Sequence, residues 1–184
     1  MKVKIILGTG RKGRESERVA KYILKKAREH FDAELIDVRD YPLCHTHRWE
    51  VPSEVEEYRK KIVEADALII VAPEYNGGFP GELKVLLDTL FEEYEGLPVG
   101  IVTVSSVTGG ARLLQELKLL ATNYRMLPVS WVLFYNVSEL FEGDELRDEK
   151  YRERIERFLE KLEKYTRALK PVREEIRRGL NENL

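Results

Sequence analysis

Three stretches carry residue types that could hold a ligand. Residues 8–20 read GTGRKGRESERVA. Gly8, Gly10 and Gly13 permit a tight backbone path, Arg11, Lys12, Arg14 and Arg18 form a basic cluster, and Thr9 and Ser16 bring hydroxyls. A helix starting here would add directed N–H donors and the positive end of its dipole, the combination that suits a phosphate. A basic glycine-rich turn without a ligand would use the same residues. The spacing is neither GxGxxG nor GxxxxGK[ST]. Residues 72–88 read APEYNGGFPGELKVLLD. Pro73, Asn76, Gly77, Gly78 and Pro80 are excluded from strand or helix interiors, so this is a loop. Its consecutive glycines admit close backbone approach, and Tyr75 offers an aromatic face with a polar tip. The third stretch, SSVTGGARLLQEL at residues 105–117, places Gly109 and Gly110 at a helix start behind Ser105 and Ser106. A helix cap and a ligand contact are both open there.

Side-chain catalysis finds little support. No Ser-His-Asp, Cys-His or paired-carboxylate arrangement emerges. Cys44, His45 and His47 form a CHTH string, but His30 is the only other histidine. A tetrahedral site ordinarily draws on a second, separated ligand pair, so no metal is expected. The single cysteine also excludes an intramolecular disulfide. Asp66 reads as a turn residue before a strand.

The elements that must position these loops follow from apolar periodicity. Apolar runs at Val3–Leu7, Glu34–Val38, Ala67–Val71, Val99–Val104 and Val129–Phe134 predict five strands. Between them lie helical patterns: Val19, Ala20, Ile23, Leu24, Ala27 and Phe31; then Val55, Tyr58, Ile62 and Val63; then Leu83–Phe91; then Leu113, Leu117, Leu120 and Tyr124. Tyr151, Ile155, Phe158, Leu159 and Leu162 mark a last long helix. Continuous apolar strands alternating with helices imply a parallel sheet covered on both faces, with ligands beyond the strands' carboxyl ends. Five such units fit the strand order 2-1-3-4-5. The boundaries expected are a domain at 1–170 and a polar tail at 171–184, read as either a short extra helix or a partly disordered segment.

With 184 residues and 43% hydrophobic content, one domain can bury a full core. The 33 acidic and 31 basic residues leave a formal charge of -2, which argues against nucleic acid as the main partner. No apolar run approaches the roughly 18 residues of a membrane span. The opening MKVKIILG enters a strand pattern at once, so a cytoplasmic location is expected.

The ordered string in residues 73–88 resembles the PEYNxxxPGxLKxxxD signature of the NADPH-dependent FMN reductase family, which also includes quinone, azo-dye and chromate reductases of flavodoxin-like fold. The resemblance covers roughly residues 2–125. It implies an α/β three-layer sandwich with FMN as cofactor and NADPH or NADH as co-substrate. It puts Thr9, Arg11, Ser16, Glu17 and Arg18 at the FMN phosphate. Pro73, Glu74, Tyr75, Asn76 and Gly77 would line the isoalloxazine ring, with Ser105, Ser106 and Gly109 in the third loop. Thr9 stands where the family has serine, extra residues precede Ser16, and Glu17-Arg18 replace the usual Asn-Arg pair. The third loop is shorter than the family's S-x-G-x-x-G-G. The implied activity passes electrons from NAD(P)H through FMN to a small acceptor: a quinone, azo compound, nitroaromatic, chromate, ferric chelate or free flavin. Because the chemistry then belongs to the cofactor, the missing catalytic constellation is accounted for. The family's habit, together with Leu83, Val85, Leu86, Leu87, Leu90 and Phe91, implies a homodimer or homotetramer through the third helix. A flavodoxin-like electron carrier is the alternative, although its phosphate loop is typically rich in Ser and Thr rather than Arg.

Overall fold

The computed structural model describes residues 1–41, 43 and 52–182. Cys44, His45 and His47 lie outside the described residues. The chain alternates β1 (Lys2–Leu7), α1 (Glu15–Ala27), β2 (Asp32–Asp37), α2 (Ser53–Glu64), β3 (Ala67–Pro73), α3 (Gly81–Leu87), β4 (Pro98–Val104), α4 (Ala111–Asn123) and β5 (Leu127–Phe134). A short helix α5 (Val137–Leu140) and a small hairpin of β6 (Phe141–Glu142) and β7 (Glu145–Leu146) lead into the long α6 (Glu149–Glu182). The five main strands pair in the order β2-β1-β3-β4-β5, all in parallel. This is the flavodoxin-like arrangement expected from the sequence.

The strands are apolar on both sides because helices cover both faces. On β1, Val3, Ile5 and Leu7 join a core with Val19 and Ile23 of α1 and Phe158, Leu159 and Leu162 of α6. Ile6 faces the other way, into a core with Tyr58 and Ile62 of α2, Leu83 and Leu87 of α3, and Leu113 and Leu117 of α4. Burying one such side chain contributes about 1.5–3 kcal/mol, so two continuous cores fix the three layers. Every crossover returns the chain to the same end of the sheet, and the three loops named above follow β1, β3 and β4 at their carboxyl ends. No helix among the described residues is long and apolar enough to cross a membrane.

Two expectations meet a different arrangement. Leu83, Leu86, Leu87 and Leu90 are buried within the chain's own core, so α3 does not present the broad apolar surface that motivated an interface there. Phe91, just beyond α3, remains 44% exposed. Near residue 171, where a polar tail was expected to begin, α6 instead runs on through Pro171 to Glu182. Proline removes one helical hydrogen bond, at a cost of roughly 3 kcal/mol, yet the following turns are anchored. Arg173 is fully buried, with Nη1 donating to the Glu95 carbonyl (2.9 Å) and Nη2 to the carbonyls of Ile62 (3.0 Å) and Glu93 (2.8 Å). Arg177 donates to the Val63 carbonyl (2.8 Å) and to Asp66 (3.0 Å). These two side chains satisfy the terminal carbonyls of α2, which a helix leaves without partners of its own.

Candidate active site

The first loop leaves β1 with Gly8 N–H donating to the Val71 carbonyl (2.8 Å), which keeps it in register with β3. Arg14 then turns inward. Its guanidinium donates to the Thr9 carbonyl and grips Asp37 at the end of β2, with Nη1 to Oδ1 at 2.8 Å. Burial opposes the charge on each partner. The pairing more than offsets this, holding the Asp37 carboxyl below its usual range and the Arg14 guanidinium above its own. Arg39 donates from outside to the carbonyls of Gly10 (3.1 Å) and Arg11 (2.6 Å). The shape of the loop is therefore set by two arginines that are themselves committed to the protein.

Ser16 stands out at the start of α1. It is 1% exposed, and its Oγ is the one buried side-chain polar atom without a hydrogen-bond partner among the described residues. Leaving a hydroxyl so costs roughly 1–3 kcal/mol. A phosphate oxygen would supply the missing acceptor, so the first turn of this 13-residue helix has the donors to take a phosphate group. The other phosphate candidates are placed differently. Thr9 is fully buried, and its Oγ1 accepts from Arg11 N–H (3.3 Å) and lies 3.2 Å from the Tyr75 hydroxyl. Its side chain thus ties the first loop to the second. Arg11 is exposed, with its guanidinium 5.6 Å from the centroid of the Tyr75 ring. Glu17 pairs with Lys21 (2.9 Å) and Arg14 (3.2 Å), which hold its carboxyl below the usual range, while Arg18 faces Glu15 at 3.7 Å.

In the second loop, Tyr75 and Gly78 exchange both backbone hydrogen bonds at 3.0 Å. Asn76 (φ 51°) and Gly77 (φ 84°) occupy the two central positions. Positive φ at both is the requirement of a type I′ hairpin turn, and Asn-Gly is its preferred dipeptide. The result is a small projecting hairpin at the carboxyl edge, with Pro73 buried beneath it and Asn76 exposed.

Glu74 joins the second loop to the third. Its carboxylate accepts from Thr108 Oγ1 (3.2 Å) and from the Leu113 N–H (3.3 Å). The latter is a free donor of the first turn of α4, a helix with no side-chain cap from its own Ncap residue. An acidic group there also meets the positive end of the helix dipole. Gly109 and Gly110 have φ of 62° and 82°, and a Cβ on Gly110 would lie 2.5 Å from that of Thr103. This local packing accounts for the glycine pair. Ser105 continues the β4–β5 ladder through its N–H to the Phe134 carbonyl (3.1 Å), and Ser106 is exposed.

The structure thus brings Thr9, Arg11, Tyr75 and Glu74 into one linked set of loops, with Ser16 at the adjoining helix start. Glu17 and Arg18 point into surface ion pairs. Sequence reasoning did not single out Asp37, Glu82 or Arg112. Glu82 accepts from Gly10 N–H (3.0 Å), and Arg112 lies against the Asn76–Gly77 turn. Only strand adjacency brings these residues to the loops, so no local pattern marks them.

The sequence profile of the NADPH-dependent FMN reductases matches residues 1–138. An NAD(P)H-dependent FMN reductase of Schizosaccharomyces pombe is 32% identical over 120 residues, spanning 59% of this chain and 60% of that protein. A quinone reductase of Escherichia coli K12 is 34% identical over 127 residues, spanning 64% of this chain and 68% of the relative. Among solved structures, a flavoenzyme NAD(P)H:(acceptor) oxidoreductase from Paracoccus denitrificans superposes with a TM-score of 0.80. It is 22% identical, covering 91% of this chain and 97% of its own, a likeness of fold.

Proposed function

The chain belongs to the NADPH-dependent FMN reductase family, and from that premise we propose that it passes electrons from NAD(P)H through bound FMN to a small acceptor. The observation that carries this reading is the linked set of three loops around the Asn76–Gly77 hairpin, with the unpartnered Ser16 Oγ at the adjoining helix start. Ser16 and the first N–H groups of α1 would hold the phosphate, with Arg11 adding positive charge at the mouth. Pro73, Glu74, Tyr75, Asn76 and Gly77 would follow the polar edge of the ring, and Ser105, Ser106 and Gly109 would border it from the third loop. Glu17 and Arg18 would act through the shape of the helix start, since their side chains are paired elsewhere.

Bound FMN supplies the hydride-accepting and electron-donating chemistry. The protein's part is orientation and electrostatics. Arg14 and Asp37 fix the phosphate loop, while Glu74 locks the ring-bearing hairpin to α4. Quinones, azo compounds, nitroaromatics, chromate, ferric chelates and free flavin are the acceptor classes this open edge would serve. Reduced nicotinamide nucleotides are supplied inside the cell, which fits a cytoplasmic location. Assembly as a homodimer or homotetramer is part of the proposal. Phe91, Trp131 and Tyr135 are exposed aromatic residues available to such contacts, and sedimentation at micromolar concentration tests it by the presence or absence of a dominant monomer.

The deciding experiment is the absorbance spectrum of purified protein reconstituted with FMN, followed by anaerobic addition of NADPH or NADH. Yellow protein bleached by either nucleotide supports the enzyme. Protein that takes up no FMN sinks the reading. FMN uptake without reduction by either nucleotide would favour an electron carrier.

A further inference from the structure

Most cations around the cleft are already engaged. Arg14 is bound to Asp37 and Glu17, Arg39 to two loop carbonyls, Arg18 to Glu15 and Lys84 to Asp88. Arg112 differs. It is the exposed second residue of α4, and its side chain lies along the Asn76–Gly77 turn: a Cβ built on Gly77 would sit 3.8 Å from Arg112 Cδ and 3.9 Å from Nη1. Among the described residues, no carboxylate or carbonyl accepts from this guanidinium. A guanidinium stays charged at any physiological pH and presents a planar fork of donors that matches phosphate oxygens. A free one beside the ring-holding hairpin is placed to receive an anion.

We propose that Arg112 binds a phosphate group of the reduced nicotinamide dinucleotide when its nicotinamide lies over the ring held by residues 73–77. This inference rests on the function proposed above. The FMN phosphate is assigned elsewhere, to Ser16 at the start of α1. Of the remaining reactants, the dinucleotide is the one that always carries phosphate beyond its reacting ring. Either its pyrophosphate or the 2′-phosphate of NADPH would match the same fork. Because Arg112 makes no hydrogen bond within the described chain, replacing it should leave the fold intact.

The test is calorimetric titration of FMN-loaded protein with the oxidised, non-reacting NADP⁺ and NAD⁺, comparing the unmodified protein with Arg112→Gln and Arg112→Lys. Arg112→Gln should weaken NADP⁺ by about tenfold or more, Arg112→Lys should restore part of the loss, and FMN affinity should not change. Equal losses for NADP⁺ and NAD⁺ would assign Arg112 to the pyrophosphate. A loss confined to NADP⁺ would assign it to the 2′-phosphate and set a preference for NADPH. The proposal is overturned if neither affinity changes, if the unmodified protein binds neither nucleotide, or if only FMN binding weakens, which would give Arg112 to the flavin. Should the protein take up no FMN, the same titration of the flavin-free protein still decides whether Arg112 binds nucleotide phosphate. The two readings therefore fail separately.

Discussion

The two ends of the sheet differ in what they leave without a partner. At the amino end, the buried charged groups Lys4, Asp66 and Arg173 all have partners. Lys4, nearly buried, bonds Glu34 (2.5 Å) and Glu64, Asp66 accepts from the Lys2 N–H (2.8 Å) and from Arg177, and Arg173 is enclosed by backbone carbonyls of the α2 end and residues 93–95. At the carboxyl end, Ser16 Oγ is buried without a partner, Asn76 and Gly77 form a projecting hairpin turn, and the Arg112 guanidinium beside it makes no hydrogen bond or ion pair within the described chain. The difference teaches how one fold separates stability from binding. A satisfied polar group stabilises the folded chain, whereas a group held ready for a ligand is a local cost until the ligand arrives.

The largest expected effect lies at the amino end. Arg173→Met should destabilise the protein by about 3 kcal/mol or more, since it strips donors from several buried carbonyls at once. Urea denaturation measures this directly; a loss below about 1 kcal/mol would show that those carbonyls find other partners. Burial and the neighbouring Arg177 already push the Arg173 pKa down to about 10, yet it remains charged at neutral pH.

At the binding end, Arg11→Ala combined with Ser16→Ala should weaken FMN by roughly tenfold or more, about 1.4 kcal/mol. Riboflavin, which lacks the phosphate, should be little affected. Ser16→Ala alone should leave unfolding free energy unchanged or slightly raised, because it removes an unsatisfied hydroxyl. Equal weakening of FMN and riboflavin would move the phosphate away from this helix start. A smaller change is expected from Glu74→Gln. The neutral amide can still accept from Thr108 and Leu113, so stability should fall by about 1 kcal/mol. Reduction of the fully FMN-loaded variant by NADPH should remain measurable in stopped flow. Its complete loss would reveal a chemical role for the carboxylate.

The smallest effect concerns the connection from α1 to β2, where it meets α6. His30 Nε2 lies 2.9 Å from Glu156 and Nδ1 lies 3.1 Å from Glu163. Only the imidazolium can donate to both carboxylates. Burial lowers the His30 pKa, but Glu163 and Glu156 more than offset it, so the folded-state value is raised. The stabilisation is therefore fully present below the unfolded value of about 6.5 and is lost as pH rises through the folded value. Its size should not exceed about 1 kcal/mol. Stability measured across this range should decline more steeply in the unmodified protein than in His30→Gln, and identical profiles would leave the contact without energetic weight.

Periodicity and local chemistry settled much of this molecule. Five apolar runs with helical spacing between them specify a covered parallel sheet, because each pattern reports which faces must leave water. Asn76-Gly77 specifies its own turn, since few dipeptides accept positive φ at both positions. The glycine-rich and arginine-rich character of residues 8–18 was equally legible, but the division of labour within it was not. Arg14 belongs to Asp37 and Arg39 to two carbonyls, pairings made only when β1 and β2 lie side by side. Glu74 caps a helix that begins 37 residues later in the chain, from Ala111 onward. The leucines of α3 outnumber what one narrow stripe needs and so implied an interface, yet they are core, in one cluster with residues of the sheet, α2 and α4. Near residue 171 the sequence offers proline and a run of charge, the usual signs of a helix end. Tertiary structure decided otherwise, because Arg173 finds its backbone acceptors more than a hundred residues away at Ile62 and Ala65, a match that no local window contains.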